Sequence, residues 1–445
     1  MKSYDIIVLG SGGAGFQVAI AAKKVGKNVA VINEGPFGGT CSVRGCIPKK
    51  VLAGVAEIAD INRRLAELNI LDQSIMNWLQ LIDFKRSFTE SVPKRTENAL
   101  IKAGIDIYTA SPRFISDLTL EVNDQTLRAD KIHIAVGAKP AKLSIEGFDH
   151  MITSDDFLEL DELPKRIIFV GGGYISFELA HIASRFGADV TILHSDDKPL
   201  SMFDSDMVKE LLKASKEVGV KIVLNSSVSK ITKSNKVFLV RTEDGHDFET
   251  DKVIHGAGRP PAISDLNLEA TNVEFDTRRG VKVNKYLQSV SNPNIYAAGD
   301  CADAGPALSP VASIQGSIVA KNILGDKVMQ PSYLSTPSVL FSTPTVASVG
   351  YNEVRAKHEG LEFDVRHNDT SKWFDAKRLN QKYSRSKVLV EKKTNKVLGA
   401  HLIGNHVDDI INIFSLAIEL GLTTEQLKAP IMAFPTVSDD MRSMF

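Results

Sequence analysis

Cysteine is scarce in this chain, three in 445 residues, and two of the three stand five apart in Gly38-Gly39-Thr40-Cys41-Ser42-Val43-Arg44-Gly45-Cys46-Ile47-Pro48-Lys49-Lys50. A disulfide needs Cα atoms roughly 4.4 to 6.8 Å apart, whereas residues five apart on an ideal helix are separated by about 7.5 Å and face different ways. Cys41 and Cys46 therefore call for a loop or a distorted turn, which Gly45 and the Gly38-Gly39 pair permit. Pro48 suits the first turn of a following helix and so puts Cys46 at a helix N-terminus. There the helix dipole and the neighbouring Lys49 and Lys50 favour thiolate over thiol, the property a redox cysteine requires. Zinc would need two more ligands close by, and the sequence offers none, so no metal is expected. Cys301 has no partner in sequence and reads as a small buried side chain.

The elements that must carry this segment are announced by glycine. Ile6-Ile7-Val8-Leu9 runs through Gly10-Ser11-Gly12-Gly13-Ala14-Gly15 into an alanine-rich helix, then to Asn28-Val29-Ala30-Val31-Ile32 and Glu34. This is a complete dinucleotide fingerprint. Gly10, Gly12, Gly13 and Gly15 allow the tight turn and bring a pyrophosphate to the helix N-terminus, and Glu34 can accept from ribose hydroxyls. A second copy runs from Arg166-Ile167-Ile168-Phe169-Val170 through Gly171-Gly172-Gly173-Tyr174-Ile175-Ser176 to Asp189-Val190-Thr191-Ile192-Leu193. One such motif is weak evidence, but two between strand and helix argue against incidental glycine loops, and Gly171, Gly173 and Ser176 join the cofactor-binding set.

Residues 51 to 105 are predicted to form mainly two helices, with Leu52, Val55, Ile58 and Ile61 at helical spacing. Short strands follow to Ala135-Val136-Gly137-Ala138-Lys139-Pro140, and a similar strand and glycine turn recurs at Val253 to Pro261, which adds Gly258 to the cofactor set. Asn294-Ile295-Tyr296-Ala297-Ala298-Gly299-Asp300 is a strand ending in a glycine and an acid. Beyond about residue 333 the pattern becomes antiparallel α+β without a nucleotide signature. The length implies about three domains. A net charge of −1 offers no global attraction for nucleic acid or an anionic membrane, so small-molecule partners are expected. The apolar run from Ile6 breaks at Gly10, too short for a signal-peptide core or a membrane span, and the expected location is cytoplasmic.

Together these motifs resemble the two-dinucleotide-binding flavoproteins of the pyridine nucleotide-disulfide reductase family, which includes glutathione reductase, dihydrolipoamide dehydrogenase and mercuric reductase. The resemblance covers essentially the whole chain, and the redox segment is most similar to that of glutathione reductase. It implies an α/β fold with two three-layer Rossmann-like dinucleotide-binding domains and a C-terminal α+β dimerisation domain: FAD-binding at 1–147, NAD(P)H-binding at 148–262, a return to the FAD domain at 263–332, and dimerisation at 333–445 in a homodimer. It also implies that reducing equivalents pass from NAD(P)H through FAD to a Cys41-Cys46 disulfide and on to a small-molecule disulfide. On the same resemblance Cys41 is the interchange thiol and Cys46 the thiol facing the flavin. Lys49 lies near flavin N5, paired with Glu178, although Lys50 fits the lipoamide-type spacing equally well. Tyr174 covers the flavin, Asp300 binds the FAD ribitol, and Thr40, Gly137 and the Leu308-Ser309-Pro310 turn lie near the cofactor.

Several positions depart from the pattern. Where the family's disulfide reductases carry His-Pro-Thr-x-x-Glu, donated by the partner subunit, this chain reads Phe434-Pro435-Thr436-Val437-Ser438-Asp439. Phenylalanine cannot protonate a leaving thiolate, a service worth roughly 10² to 10⁴ in rate. His401 is expected to be structural, with His406 as another substitute to weigh. Ile20 stands where glutathione reductase has a substrate-binding arginine, and Met441-Arg442-Ser443-Met444-Phe445 lacks the cysteine pair of mercuric reductase. The acceptor expected is a disulfide, with a metal ion, quinone or oxygen as the alternative, and a nucleotide-binding sensor without turnover as the reading from another class. After the second strand, His194, Ser195 and Lys198 point to NADPH, and Asp196 and Asp197 keep NADH open.

Overall fold

A computed structural model describes residues 1–325 and 329–445. Asp326 to Val328, within the segment expected at 263–332, lie outside the described residues. Along the chain, β1 (Lys2–Leu9), α1 (Gly13–Lys24), β2 (Val29–Asn33), α2 (Gly39–Arg44) and α3 (Cys46–Ala66) come first. They lead to α4 (Trp78–Thr89), α5 (Val92–Lys102), β3 (Asp106–Thr109), β4 (Arg113–Ser116), β5 (Thr119–Val122) and β6 (Gln125–Ile134). The second fingerprint follows as α6 (Ser154–Phe157), β7 (Arg166–Val170), α7 (Tyr174–Arg185), β8 (Asp189–Leu193), α8 (Ser205–Glu217), β9 (Lys221–Val223), β10 (Val228–Ser234), β11 (Val237–Thr242), β12 (Asp247–Thr250) and β13 (Lys252–His255). The chain returns through β14 (Phe275–Asp276), β15 (Gly280–Val281), β16 (Ile295–Ala297) and α9 (Ser309–Leu324). It ends with β17 (Ser338–Leu340), β18 (Thr345–Gly350), α10 (Glu353–His358), β19 (Phe363–Asp369), α11 (Phe374–Arg378), β20 (Arg385–Glu391), β21 (Val397–Gly404), α12 (Val407–Leu420), α13 (Thr424–Lys428) and α14 (Val437–Asp440).

Two compact units result. The first comprises residues 1–49, 83–142 and 258–333, and the second residues 50–82, 143–257 and 334–445. In the first, β3-β2-β1-β6-β5-β4 form one sheet, with β16 also paired to β6. The β3-β2-β1-β6 strands and β16 are parallel, and β5 and β4 add antiparallel. The apolar run of β1 makes sense only here, because a parallel strand covered on both faces must be apolar at every position. Ile7 and Leu9 enter one core with Ile132 and Ile134, while Ile6 and Val8 enter the other with α1 and α9 residues.

The second unit repeats the arrangement. β13-β7-β8-β9 are parallel, and Ile167 and Phe169 face one core while Ile168 and Val170 face another. A three-stranded sheet, β10-β11-β12, and a five-stranded antiparallel sheet, β17-β18-β21-β20-β19, complete this unit. The helical stretch at 51–105 differs from expectation: three helices occupy it, because the chain breaks at Glu90-Ser91 and restarts with Pro93 in the first turn of α5. Ile58, counted on the buried stripe, is 66% exposed.

Candidate active site

The first glycine loop leaves no room for side chains. Gly10 has φ +103°, and a Cβ on it would meet the Ala135 carbonyl oxygen at 2.3 Å. A Cβ on Gly15 would reach the Gly10 oxygen at 2.0 Å. α1 begins at Gly13 with no side-chain cap and no acid in its first turn, so its free N–H groups and positive dipole end are available to an anion. Gly39 has φ +74°, and a Cβ there would come within 2.6 Å of the Gly12 Cα. The dithiol segment is thus seated by direct backbone contact against the nucleotide loop.

From that seat the chain turns as α2, breaks at Gly45 and restarts as α3 at Cys46. Gly45 cannot be substituted freely, since a Cβ would stand 2.9 Å from the Thr40 oxygen and 3.2 Å from the Cys41 Cα. The two cysteines are free thiols and are not equivalent. The Cys41 thiol donates to the Cys46 sulfur, which pulls Cys46 down to about 6 with further help from the Ser309 hydroxyl and the Lys49 charge. The same hydrogen bond and burial push Cys41 well above the usual thiol range. Ser309 Oγ lies 3.3 Å from Cys46 Sγ and opens α9. The pair thus favours the proton on Cys41 and the thiolate at Cys46.

Glu34 is engaged by Lys139, 3.1 Å away, which also reaches Asp265. Asp300 is half-buried and its carboxyl is raised, desolvation outweighing the nearby Arg259. Gly137 (φ +70°) and Gly258 (φ +101°) border open space, Thr40 lies in α2, and Leu308 is the residue before α9. Cys301 is fully buried, its thiol donating to the Ile134 and Ala298 carbonyls and pushed up to about 11 by burial. That environment is inert.

In the second unit Gly171 has φ +105°, and a Cβ there would meet the Gly256 oxygen at 2.6 Å. Gly173 precedes α7, whose first residue Tyr174 is 44% exposed. Ser176 is buried against Gly256, where a Cβ would strike its hydroxyl at 2.0 Å. Glu178 is buried, and its Oε1 accepts from the Phe341 N–H at 2.8 Å. The Lys50 ammonium pairs with Asp408 at 3.2 Å and sits 4.0 Å from the Phe341 ring centroid. His194 also has fixed partners, Nδ1 accepting from the Gly172 N–H at 3.0 Å and Nε2 facing the Lys198 carbonyl at 3.3 Å. His401 is buried between Ser348 and the Tyr351 carbonyl, as a structural residue should be. His406 caps α12 with φ +55°. Phe434 is 83% exposed.

Sequence reasoning did not find Lys139, Phe341, Asp408 or the contact of Ser309 with the thiols. Each depends on a partner far along the chain, and only the Ser-Pro helix start at 309–310 left a local signal. Among the described residues no cluster of three metal-ligating side chains occurs and no helix is long and apolar enough to cross a membrane.

Two glycine-loop nucleotide sites and a polarised cysteine pair define a flavin-dependent dithiol oxidoreductase. Residues 4–316 match the family model of the pyridine nucleotide-disulphide oxidoreductases, and residues 336–445 match that family's dimerisation domain. The chain belongs to this family. It is 30% identical to a mercuric reductase from Staphylococcus aureus, across 99% of this chain and 81% of that protein. It is 31% identical to a dihydrolipoyl dehydrogenase from Geobacillus stearothermophilus, across 98% and 94%. Its fold matches the Cu(II) complex of RclA, an HOCl-induced flavoprotein disulfide reductase from Escherichia coli, with TM-score 0.89 and 26% identity over 100% of this chain and 99% of that one.

FAD and NAD(P)H are the cofactors of this family, and the residues fit them. The Gly10–Gly15 loop and the uncapped end of α1 suit a pyrophosphate, Glu34 and Asp300 suit hydroxyl groups, and Gly171 and Gly173 form the second loop. When bound, FAD takes two electrons from the reduced nicotinamide and makes them available to the cysteine pair.

Proposed function

We propose that the protein is an NAD(P)H-dependent flavoprotein reductase in which Cys41 and Cys46 deliver two electrons to a disulfide-type acceptor, the dimerisation domain pairing two copies. The observation that carries this reading is the placement of the cysteine pair, two free thiols on either side of the Gly45 helix break with the Ser309 hydroxyl 3.3 Å from Cys46 Sγ, an arrangement that favours the thiolate at Cys46 and the proton on Cys41. Attack on an acceptor requires Cys41 to lose its proton, and the hydrogen-bonded Cys46 sulfur is the base beside it. Cys41 sulfur then bonds to one acceptor sulfur while the acceptor S–S bond breaks, expelling a thiolate. Cys46, its proton passed on, attacks Cys41, reforms the internal disulfide and expels the second thiolate. Each expelled thiolate must find a proton, and Phe434 supplies none.

That missing proton supports a second reading, a soft metal ion as acceptor, since a thiolate pair can bind such an ion and no expelled thiolate then needs protonation. The named mercuric reductase and the Cu(II) complex of RclA lend this reading weight. Anaerobic NAD(P)H titration is expected to raise a long-wavelength thiolate-to-flavin absorbance that Cys46→Ser abolishes; an unchanged spectrum in that variant would sink the dithiol assignment. Turnover of wild type and Phe434→His on glutathione disulfide, lipoamide, Cu(II), Hg(II) and a quinone then separates the acceptors. A gain confined to disulfides supports the first reading, and fast metal turnover unaffected by the substitution supports the second.

A further inference from the structure

The acid assigned to the flavin sits in the 299–304 turn between β16 and α9, and both ends of that turn are fastened to one side chain. Gln315, on α9, is fully buried. Its Oε1 accepts from the Gly299 N–H at 2.7 Å, while its Nε2 donates to the Ala304 carbonyl at 2.7 Å and to the Tyr333 hydroxyl at 2.8 Å. The three bonds fix which way the amide faces, since a flipped amide would set its NH₂ against the Gly299 N–H and its oxygen against a carbonyl. Tyr333 is itself held by close packing: a Cβ on Gly305 would meet its ring at 2.5 Å.

An amide at this depth needs a reason. The buried α9 neighbours Val311, Ile318, Val319 and Ile323 are apolar, Asn322 being the other buried amide of the helix, and a buried amide contributes little beyond an apolar group unless all its bonds are made. Here every bond is made to the turn that carries Asp300 or to the tyrosine that braces it. α9 begins with Ser309, whose hydroxyl touches Cys46, so one helix carries both the residue beside the thiolate and the residue that holds the turn of Asp300, the two being roughly 9 Å apart along its axis.

We propose that Gln315 is a positioning residue for FAD: it staples the 299–304 turn at both ends and thereby holds Asp300 where the flavin's ribitol hydroxyls can meet it, with Tyr333 as the brace of the amide. This rests on the reading of Asp300 as an FAD ligand. The test is a double-substitution cycle read as the rate of FAD release from the holoprotein, followed by the recovery of flavin fluorescence on dilution. Gln315→Met and Asp300→Asn are each expected to speed release by about 10- to 100-fold. The combined variant should release no faster than Asp300→Asn alone, because one residue acts through the other. Gln315→Glu, which keeps shape and acceptor but loses the donor, enters the same cycle should Gln315→Met fail to fold. Tyr333→Phe should speed release by only a few-fold. Additive effects in the combined variant, or wild-type release from the Gln315 variants, would overturn the proposal. Wild-type release from Asp300→Asn would overturn the reading beneath it instead.

Discussion

The acidity of Cys46, an exposed residue, comes from three neighbours in order, the Cys41 thiol first, then the Ser309 hydroxyl, then the Lys49 charge, all working against partial desolvation of the sulfur. A hydrogen bond to a thiolate is worth about 1 to 1.5 kcal/mol net, or about one pH unit. Cys41→Ala should therefore raise the Cys46 midpoint furthest, Ser309→Ala by about one pH unit, and Lys49→Met least. Iodoacetamide alkylation of the reduced protein against pH, with Cys46 followed by peptide mass, checks the order; a largest effect at Lys49 would show that charge rather than hydrogen bonding sets the thiolate. At the nicotinamide end the structure shifts the balance. His194 has both ring nitrogens engaged, one accepting from Gly172 N–H and the other facing the Lys198 carbonyl, so the ring presents no unused N–H to a 2′-phosphate. NADH should serve at least as well as NADPH in kcat/KM, and a clear preference for NADPH would contradict this. Cys41, Cys46 and the glycines were legible because each acts through its own backbone or its near neighbours. Ser309 was legible as a cofactor neighbour only, since its contact with the thiols spans most of the chain.

Within the second unit, helix α3 is tied to α7 by a buried ionic cluster. Asp60 bonds Arg64 on its own helix at 2.9 Å and Arg185 on α7 at 3.1 Å, and all three side chains are at most 5% exposed. Three arginines hold Asp60 below the ordinary carboxylate range despite its burial. Breaking such a cluster from one side costs about 3 to 5 kcal/mol, because the stranded cations have no water to turn to. Asp60→Asn should lower the opening free energy of α7 by that amount, read by hydrogen exchange of its amides. The exposed pair Arg241–Asp247 is shorter, 2.7 Å, yet Arg241→Gln should leave stability nearly unchanged, because water screens the pair. Equal effects would mean that burial does not govern these pairs. Elements were readable where period and punctuation agree, as in the two strand–loop–helix copies. The split of α4 from α5 was missed because Pro93 opens a helix as readily as it closes one, and Ile58 because an apolar residue at the right spacing need not find a partner.

Across the whole molecule, each unit buries an imidazole that the sequence did not mark. His133 is in β6 between two residues that face one core, so its ring enters the other, where neither ring nitrogen meets a hydrogen-bond partner of ordinary geometry among the described residues. Burial drives it down to about 4, with the Ala14 and Tyr296 backbone groups opposing only weakly. In the second unit His181 touches Ser215 and Thr343 and falls to about 3, through burial first and the Arg185 charge second. Burial lowers His401 as well. All three titrate in the unfolded chain near the ordinary histidine value, about 6.5. The folded state therefore binds fewer protons than the unfolded state below that pH, and stability present above about 6.5 is lost as the pH falls. Each histidine approaches a slope of about 1.4 kcal/mol per pH unit once the unfolded ring is mostly protonated, so His133 and His181 together remove about 3 kcal/mol between pH 6.5 and pH 5. The carboxylates act later: Asp206, drawn down to about 2 by Lys387, is protonated in the unfolded state only near pH 4 and below. Melting temperature against pH isolates the histidine window. His133→Leu removes an unpaired polar group, so at pH 7.5 it should melt no lower than wild type, and between pH 6.5 and 5 its curve should fall less steeply by one proton. Parallel curves would mean that His133 takes up its proton in the folded state, which requires water or a rearranged α1 to reach the ring.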